Sequence, residues 1–364
     1  MRAFRIAALA GTALAVAIAV PSSADAAARS WHVRATPQIK NGEMNSVLTF
    51  SRSNAWAFGG SGEASSMKPL AYHWNGKSWR SVTVPGLHGW LTVSSAVSAS
   101  DIWVVNSPGE AGDGTEAVLH WNGTKWSVSK KGFAGHPTSL AAISRSNVWL
   151  FGAPGADQGS GTWHYNGKTW TRRYPPFYPG AASAVSASNI WAVGRGKSGD
   201  SRTVGHYNGK TWSTTTLSKV LPADSADGLH GVSLRTVRAT SAKSVWVAGY
   251  FDVNNRQVPL LVHWNGTAWH RISVPGTGTL DDITPDGHGG LWFSRMSWSG
   301  TSNTTAIIHR SAAASWTTAT VTGMGGKSLL VVGGLARIPG TTTMWGAASL
   351  HTLYANPSGV ILSY

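Results

Sequence analysis

Two tryptophan series constrain this chain more than any other feature. One runs Trp31, Trp79, Trp126, Trp170, Trp212, Trp269, Trp316; the other runs Trp56, Trp103, Trp149, Trp191, Trp246, Trp292, Trp345. Within each series the spacing is about 42 to 57 residues, and each has seven members. Self-similarity at such a period marks a repeat architecture. The first series closes a phrase that returns as "HWNGKSW", "HWNGTKW", "HYNGKTW" (twice) and "HWNGTAW". The second sits inside "SRSNAWAFG", "SASDIWVVN", "SRSNVWLFG", "SASNIWAVG" and "SAKSVWVAG".

Each unit reads as four short strands. In the second unit "LTVSSAVS" leads through a tight serine-rich turn into "DIWVVN", and a variable loop follows. "AVLHW" and "KWSVS" then form a hairpin at Asn122-Gly123. Asn-Gly is preferred where both turn positions need positive φ. The second strand is apolar on both faces, as a strand covered on each side by a neighbouring sheet must be. Four strands repeated seven times define an all-β, seven-bladed β-propeller. The last unit stops at Tyr364 after its third strand, and "SWHVRATP" (30–37) aligns with "SWRSVTVP" (78–85). Residues 30–37 are therefore expected to be the outer strand of the last blade, closing the ring and removing two open sheet edges.

Ahead of that strand, Arg2 and Arg5 precede an apolar run and an Ala-x-Ala sequence at Ala24–Ala26. This is the layout of a secretory signal peptide. The division expected is 1–28 signal peptide and 29–364 a single propeller, secreted and extracellular, with no membrane span. There is no cysteine, so no disulfide supports the fold. Losing residues 1–28 leaves 28 Lys+Arg against 14 Asp+Glu, a formal charge of +14. Such an excess favours anionic partners through long-range attraction.

The repeated histidines (His73, His120, His164, His206, His263, His309) look like metal ligands. Equivalent residues of different blades lie on a ring, however, and a metal site needs three or four ligands within about 2.3 Å of one ion. A hydrogen bond inside each blade is the expected role, and no metal or cofactor is implied. Asn122 and Asn265 head formal glycosylation sequons, but turn chemistry accounts for them.

Function has to lie elsewhere. In an up-and-down blade the one–two and three–four connections share one face, which here carries tight turns of near-constant sequence. The longer, variable loops fall on the opposite face, where a rigid scaffold presents recognition residues. Most acids map to that long-loop face. Arg52, Lys77, Arg145, Lys168, Lys210 and Lys243 form a basic ring on the turn face, opposed by Asp101 and Asp286. Trp90, His88, Tyr178, Tyr250 and Trp298 lie in or beside the long loops, with Asp227, His230, Asp281 and Asp282 as the polar candidates. Aromatic rings beside carboxylates suit a sugar-binding surface and equally a protein interface.

The adjacent Asp281-Asp282, with Asp227 and His230, are also the residues an enzyme would use. Adjacent strand residues point to opposite faces, though, and acid–base pairs must converge on one bond. No nucleophile elbow, zinc-protease motif or phosphate loop occurs.

The repeat "AVSASDIWVV…VLHWNGTKWSV" resembles those of secreted bacterial seven-bladed propeller proteins and, more loosely, is similar to tectonin-type lectin propellers. WD and kelch signatures are absent. The resemblance implies a carbohydrate-binding or adaptor role and carries no sugar-contacting residue over. The expectation is a non-enzymatic recognition propeller for an extracellular glycan, an anionic cell-wall polymer or a secreted protein. An extracellular polysaccharide lyase or glycoside hydrolase with an axial pocket is the alternative. A monomer is expected, and nucleic acid is disfavoured because no aromatic platform is interleaved with the basic residues.

Overall fold

A computed structural model describes residues 30–364 except 64–65, 109–114, 134–135, 154–160, 223–230, 255, 300–301, 326–328 and 353–354. The described residues form seven small antiparallel sheets arranged as a seven-bladed β-propeller. Blade 1 runs from inside to outside as Gly42–Ser51, Asn54–Ser61, Lys68–Trp74 and Trp79–Val82. The inner strands of blades 2 to 5 are Trp90–Ser98, His136–Ser144, Phe177–Ser186 and Val232–Ser241. Blade 6 has its inner strand in two pieces, Thr279–Leu280 and Thr284–Pro285, and blade 7 begins with Leu329–Arg337.

The chain ends close the ring. Trp31–Lys40 pairs antiparallel with the last strand, Ala355–Ser363, in the sheet of blade 7. It runs three residues beyond the stretch expected from sequence, through a register shift between Val33 and Gln38. Val321–Thr322 adds a short parallel pairing outside it.

Each blade packs on the next through its tryptophans. Trp56 of blade 1 meets Trp126 of blade 2 at 5.7 Å between ring centres, and Trp103 meets Trp170 of blade 3 at 6.0 Å. Trp149–Trp212 and Trp191–Trp269 continue the pattern at 6.1 and 5.9 Å. Trp292 then meets Trp31 at 5.7 Å, edge to face, and Trp345 meets Trp79 at 5.2 Å. At the remaining seam the Arg310 guanidinium lies 5.4 Å over Trp246. The second strands lie between two such seams, which is why Ile102, Trp103, Val104 and Val105 are all buried in succession.

In blades 1 to 6 the repeated histidine faces the second-strand tryptophan, whereas in blade 7 Trp345 faces Ser363. His73 Nε2 donates to Asn54 Oδ1 at 3.1 Å, His164 to Asn147 at 3.0 Å and His206 to Asn189 at 3.1 Å. His120 donates to Asp101 at 2.8 Å and His309 to Asp286 at 2.9 Å, while His263 shares a hydrogen bond with Ser244. Each ring also packs on its tryptophan, as His120 does on Trp103 at 4.0 Å. The repeated cluster is scaffold.

The Asn-Gly hairpins differ from the expected form. Only the glycine takes positive φ, as at Gly76 (92°) and Gly123 (96°). The loop is four residues long, and the asparagine side chain organises it. Asn75 Oδ1 accepts the backbone N–H groups of Lys77 and Ser78, each at 3.0 Å. This local side-chain bond substitutes for a second left-handed residue.

These rings make stability depend on pH. Burial, first of all, holds the imidazoles of His73, His164, His206 and His263 below their ordinary value of 6.5. The unfolded chain therefore binds more protons below that pH. The stabilisation from the neutral rings is present above it and lost as pH falls. The melting temperature is expected to drop between about pH 7.5 and about pH 5.5. A His73→Gln/His206→Gln variant is expected to lose less over the same interval; equal losses would show that the rings do not set the slope.

Candidate functional site

The pairing register places one residue per blade at the long-loop end of the inner strand. Glu43 faces Gly60, Trp90 faces Ser107, His136 faces Ala153, Tyr178 faces Arg195 and Ser233 faces Tyr250. Thr279 faces Met296 and Val331 faces Ser349 in blades 6 and 7. Glu43, Trp90, His136, Tyr178, Ser233, Thr279 and Val331 thus form one column around the propeller rim. Close backbone approach secures it. A Cβ at Gly59, Gly152, Gly194 or Gly249 would stand 1.9–2.1 Å from the carbonyl oxygen of the rim residue in its own blade. In blade 2 the glycine is replaced by Asn106, which is buried and donates its side-chain amide to the His88 carbonyl at 2.8 Å.

Two clefts open beside this column. The first, ≈ 670 Å³, lies between blades 4 and 5 and is lined by Tyr178, Arg195, Lys197, Ser198, Ser233 and glycines of the Gly194–Gly199 segment. The second, ≈ 560 Å³, is bounded by Glu43, Asn45, Met67, Trp90, Thr92 and Ser107. Trp90 crosses here onto blade 1, where a Cβ at Gly60 would lie 3.0 Å from the indole, and its N–H donates to Met67 Sδ. Burial pushes the Glu43 carboxyl above the ordinary carboxylate range. Burial also raises Glu116, although Ser107 donates to its carboxylate and His136 lies 3.8 Å away.

Both clefts run into the axial channel, ≈ 510 Å³, sharing Thr138 with the first and Asn45, Thr92 and Gly333 with the second. The channel wall is held by hydrogen bonds that step from blade to blade. Ser46 meets Ser94 at 2.6 Å, and the hydroxyls of Ser95, Ser139 and Ser183 each accept a backbone N–H of the next blade at 3.0 Å. Arg238 donates to the Ile283 carbonyl at 3.0 Å, and Thr49 donates to the Arg337 carbonyl at 2.6 Å.

Asp282 belongs to this set. Its carboxylate accepts the N–H of Leu335 in blade 7 at 2.9 Å, its neighbour Ile283 N–H at 2.8 Å and the Thr284 hydroxyl at 3.2 Å. Burial pushes its carboxyl up, offset in part by Arg238 and these bonds. Asp281 pairs instead with Arg235 at 3.2 Å. Both acids interrupt the inner strand of blade 6, and both hold neighbouring blades.

Of the residues singled out from sequence, Trp90 and Tyr178 are rim residues lining clefts, and Tyr250 is the partner of the rim residue Ser233. His88 is exposed in the loop before Trp90. The backbone of Trp298 pairs with Asn303, but its side chain lies outside the described part, as do Asp227 and His230 entirely. Glu43, His136 and Arg195 were missed. The signal was present: at this column the repeats differ in every blade, whereas the turn columns barely vary.

No family model and no curated protein matches this sequence. Solved structures do. YCF48 bound to a D1 peptide superposes with a TM-score of 0.56 at 12% identity, covering 92% of this chain and 95% of that one. U3-55K gives 0.58 at 8% identity, covering 92% and 98%. A GH74 xyloglucanase from Xanthomonas campestris gives 0.55 at 14% identity, covering 90% of this chain and 55% of the xyloglucanase. At these identities the likeness is one of fold, and it places the chain among β-propellers.

Proposed function

We propose that this is a secreted, non-enzymatic recognition propeller that holds a glycan across its long-loop rim. The observation that supports the reading is the rim column, which sets Trp90 and Tyr178 in one register beside two clefts. An aromatic ring offers a flat apolar face to the C–H side of a sugar. Glu43, Ser107, Arg195 and Ser233 supply the few convergent polar groups that fix orientation in such a cleft. A peptide partner would use the same aromatic anchors, and the clefted rather than flat rim favours the sugar chain. The lyase or hydrolase reading needs free carboxylates at the axis, and Asp281 and Asp282 are both engaged in joining blades.

The test is binding of the protein lacking residues 1–28 to a panel of neutral and acidic glycans in near-molar salt. Trp90→Ala and Tyr178→Ala are each expected to weaken binding at least ~10-fold, about 1.4 kcal/mol, in protein that melting curves show to be folded at the assay temperature. Binding that survives both substitutions would place the ligand elsewhere.

A further inference from the structure

The turn face carries a surface of a different kind. In blades 1 to 5 the two turns pack on each other. A Cβ at Gly76, Gly123, Gly167 or Gly209 would lie 2.6–2.9 Å from the Cβ of Ser53, Ser100, Ser146 or Ser188 respectively, and Gly266 stands 3.0 Å from that of Lys243. The turns of each blade therefore make one patch. Onto these patches the chain places Arg52 and Lys77 in blade 1, Lys125 in blade 2, and Arg145 and Lys168 in blade 3. Lys210 and Lys243 follow in blades 4 and 5, and all seven side chains are exposed.

Blade 6 presents Asp286 and His288 instead, and Arg337 of blade 7 is turned back onto the Thr341 carbonyl at 3.0 Å. The expected basic ring is thus an arc over five consecutive blades. Its counter-charges are largely buried. Asp101 is 2% exposed, accepts hydrogen bonds from His120 and Trp103, and its second oxygen lies 3.6 Å from the Arg145 guanidinium, so that one cation of the arc is partly neutralised. Asp286, despite burial, is held below the ordinary carboxylate range by the His288 and Gly290 N–H groups and His309.

We propose that this arc binds a linear polyanion, a flexible polymer carrying repeated phosphate or carboxylate groups, laid from blade 1 to blade 5. Cations spaced along an arc engage such a chain at several points at once, so weak contacts add through high effective concentration. The driving force is counterion release, which makes the affinity fall steeply with salt. No exposed Trp, Tyr or Phe ring is interleaved with these cations among the described residues, so the arc lacks the stacking platform of a single-stranded nucleic-acid site. The inference uses the face opposite the rim and does not rest on the glycan reading.

The experiment measures binding of fluorescent long-chain polyphosphate, polygalacturonate and a single-stranded oligonucleotide of matched charge, at low and near-molar salt. The protein is compared with a Lys77→Glu/Arg145→Glu/Lys168→Glu/Lys210→Glu variant. A control variant, Arg80→Glu/Arg173→Glu/Lys219→Glu/Arg256→Glu, makes the same change in net charge at exposed positions off the arc. Melting curves check that each is folded. The arc variant is expected to lose at least ~10-fold in affinity for polyphosphate or polygalacturonate, and the control less than ~3-fold. Which polymer binds tighter identifies the source of the anion. Equal losses in both variants, no binding by the unaltered protein, or tighter binding to the oligonucleotide would each overturn the proposal. Tyr178→Ala is expected to leave polyphosphate binding intact, so failure of the rim reading and failure of this one are separable.

Discussion

Deleting residues 29–38 is expected to yield insoluble protein, or a soluble chain melting at least ~10 °C lower. Three losses coincide. The pairing of Trp31–Lys40 with Ala355–Ser363 goes, leaving the last strand as an open edge that invites intermolecular pairing. Trp31 goes with it, a fully buried side chain set against Trp292 at 5.7 Å and Tyr364 at 5.4 Å. The tryptophan contact between blades 6 and 7 is then missing, so the ring is interrupted as well as trimmed. Trp31→Ala alone, which keeps the strand, is expected to cost about 3–5 kcal/mol. Denaturant unfolding of the point variant therefore separates the packing loss from the open edge. A soluble deletion variant with unchanged melting would sink the closure described here.

Asp282→Ala is the second substitution with a large expected effect, about 3–5 kcal/mol of stability. It removes the acceptor for the Leu335 N–H, and that donor is left at the seam between blades 6 and 7 without a partner. Asp282→Asn keeps one acceptor oxygen and is expected to cost less. The two forms also differ in pH dependence. Burial raises the Asp282 pKa in the folded protein, so its contribution is fully present below the unfolded value and declines as pH rises through the folded one. The advantage of Asp282 over Asn is therefore expected to narrow as pH rises above the unfolded value of 3.8, read by urea unfolding at a mildly acidic and a mildly alkaline pH. If Asp282 were instead a catalytic acid, Asp282→Ala would leave stability nearly unchanged.

Much of the architecture was legible in the chain because propeller repeats are local. Trp79 and Trp56 recur in seven units because every blade presents the same seam to its neighbour, and the alignment of 30–37 with 78–85 already carried the closure. The histidines were legible for the same reason, since His73 and Asn54 meet within one blade. The hairpin form was misjudged on a local detail: the Asn75 side chain, rather than a second positive φ, makes the turn.

The candidate site was only partly legible. Trp90 and Tyr178 stand out as aromatics near variable loops, but Glu43 and His136 are unremarkable letters until the register aligns them with those rings. Asp281 and Asp282 looked like free acids because their partners, Arg235 and Leu335, lie 46 and 53 residues away. The charge pattern of the turn face was legible in part: the expected cations are all exposed, but only the fold shows that Asp101 is buried against His120 and Arg145.

By itself, then, the sequence determined the number of blades, the strand that closes them and the division into a constant and a variable face. These follow from strand periodicity and turn chemistry, which act over a few residues. Which side chains share the rim, which acids are engaged in the seams and which cations remain exposed were decided by tertiary structure. Each depends on groups from different blades meeting across a seam, and the repeat pattern does not encode those meetings.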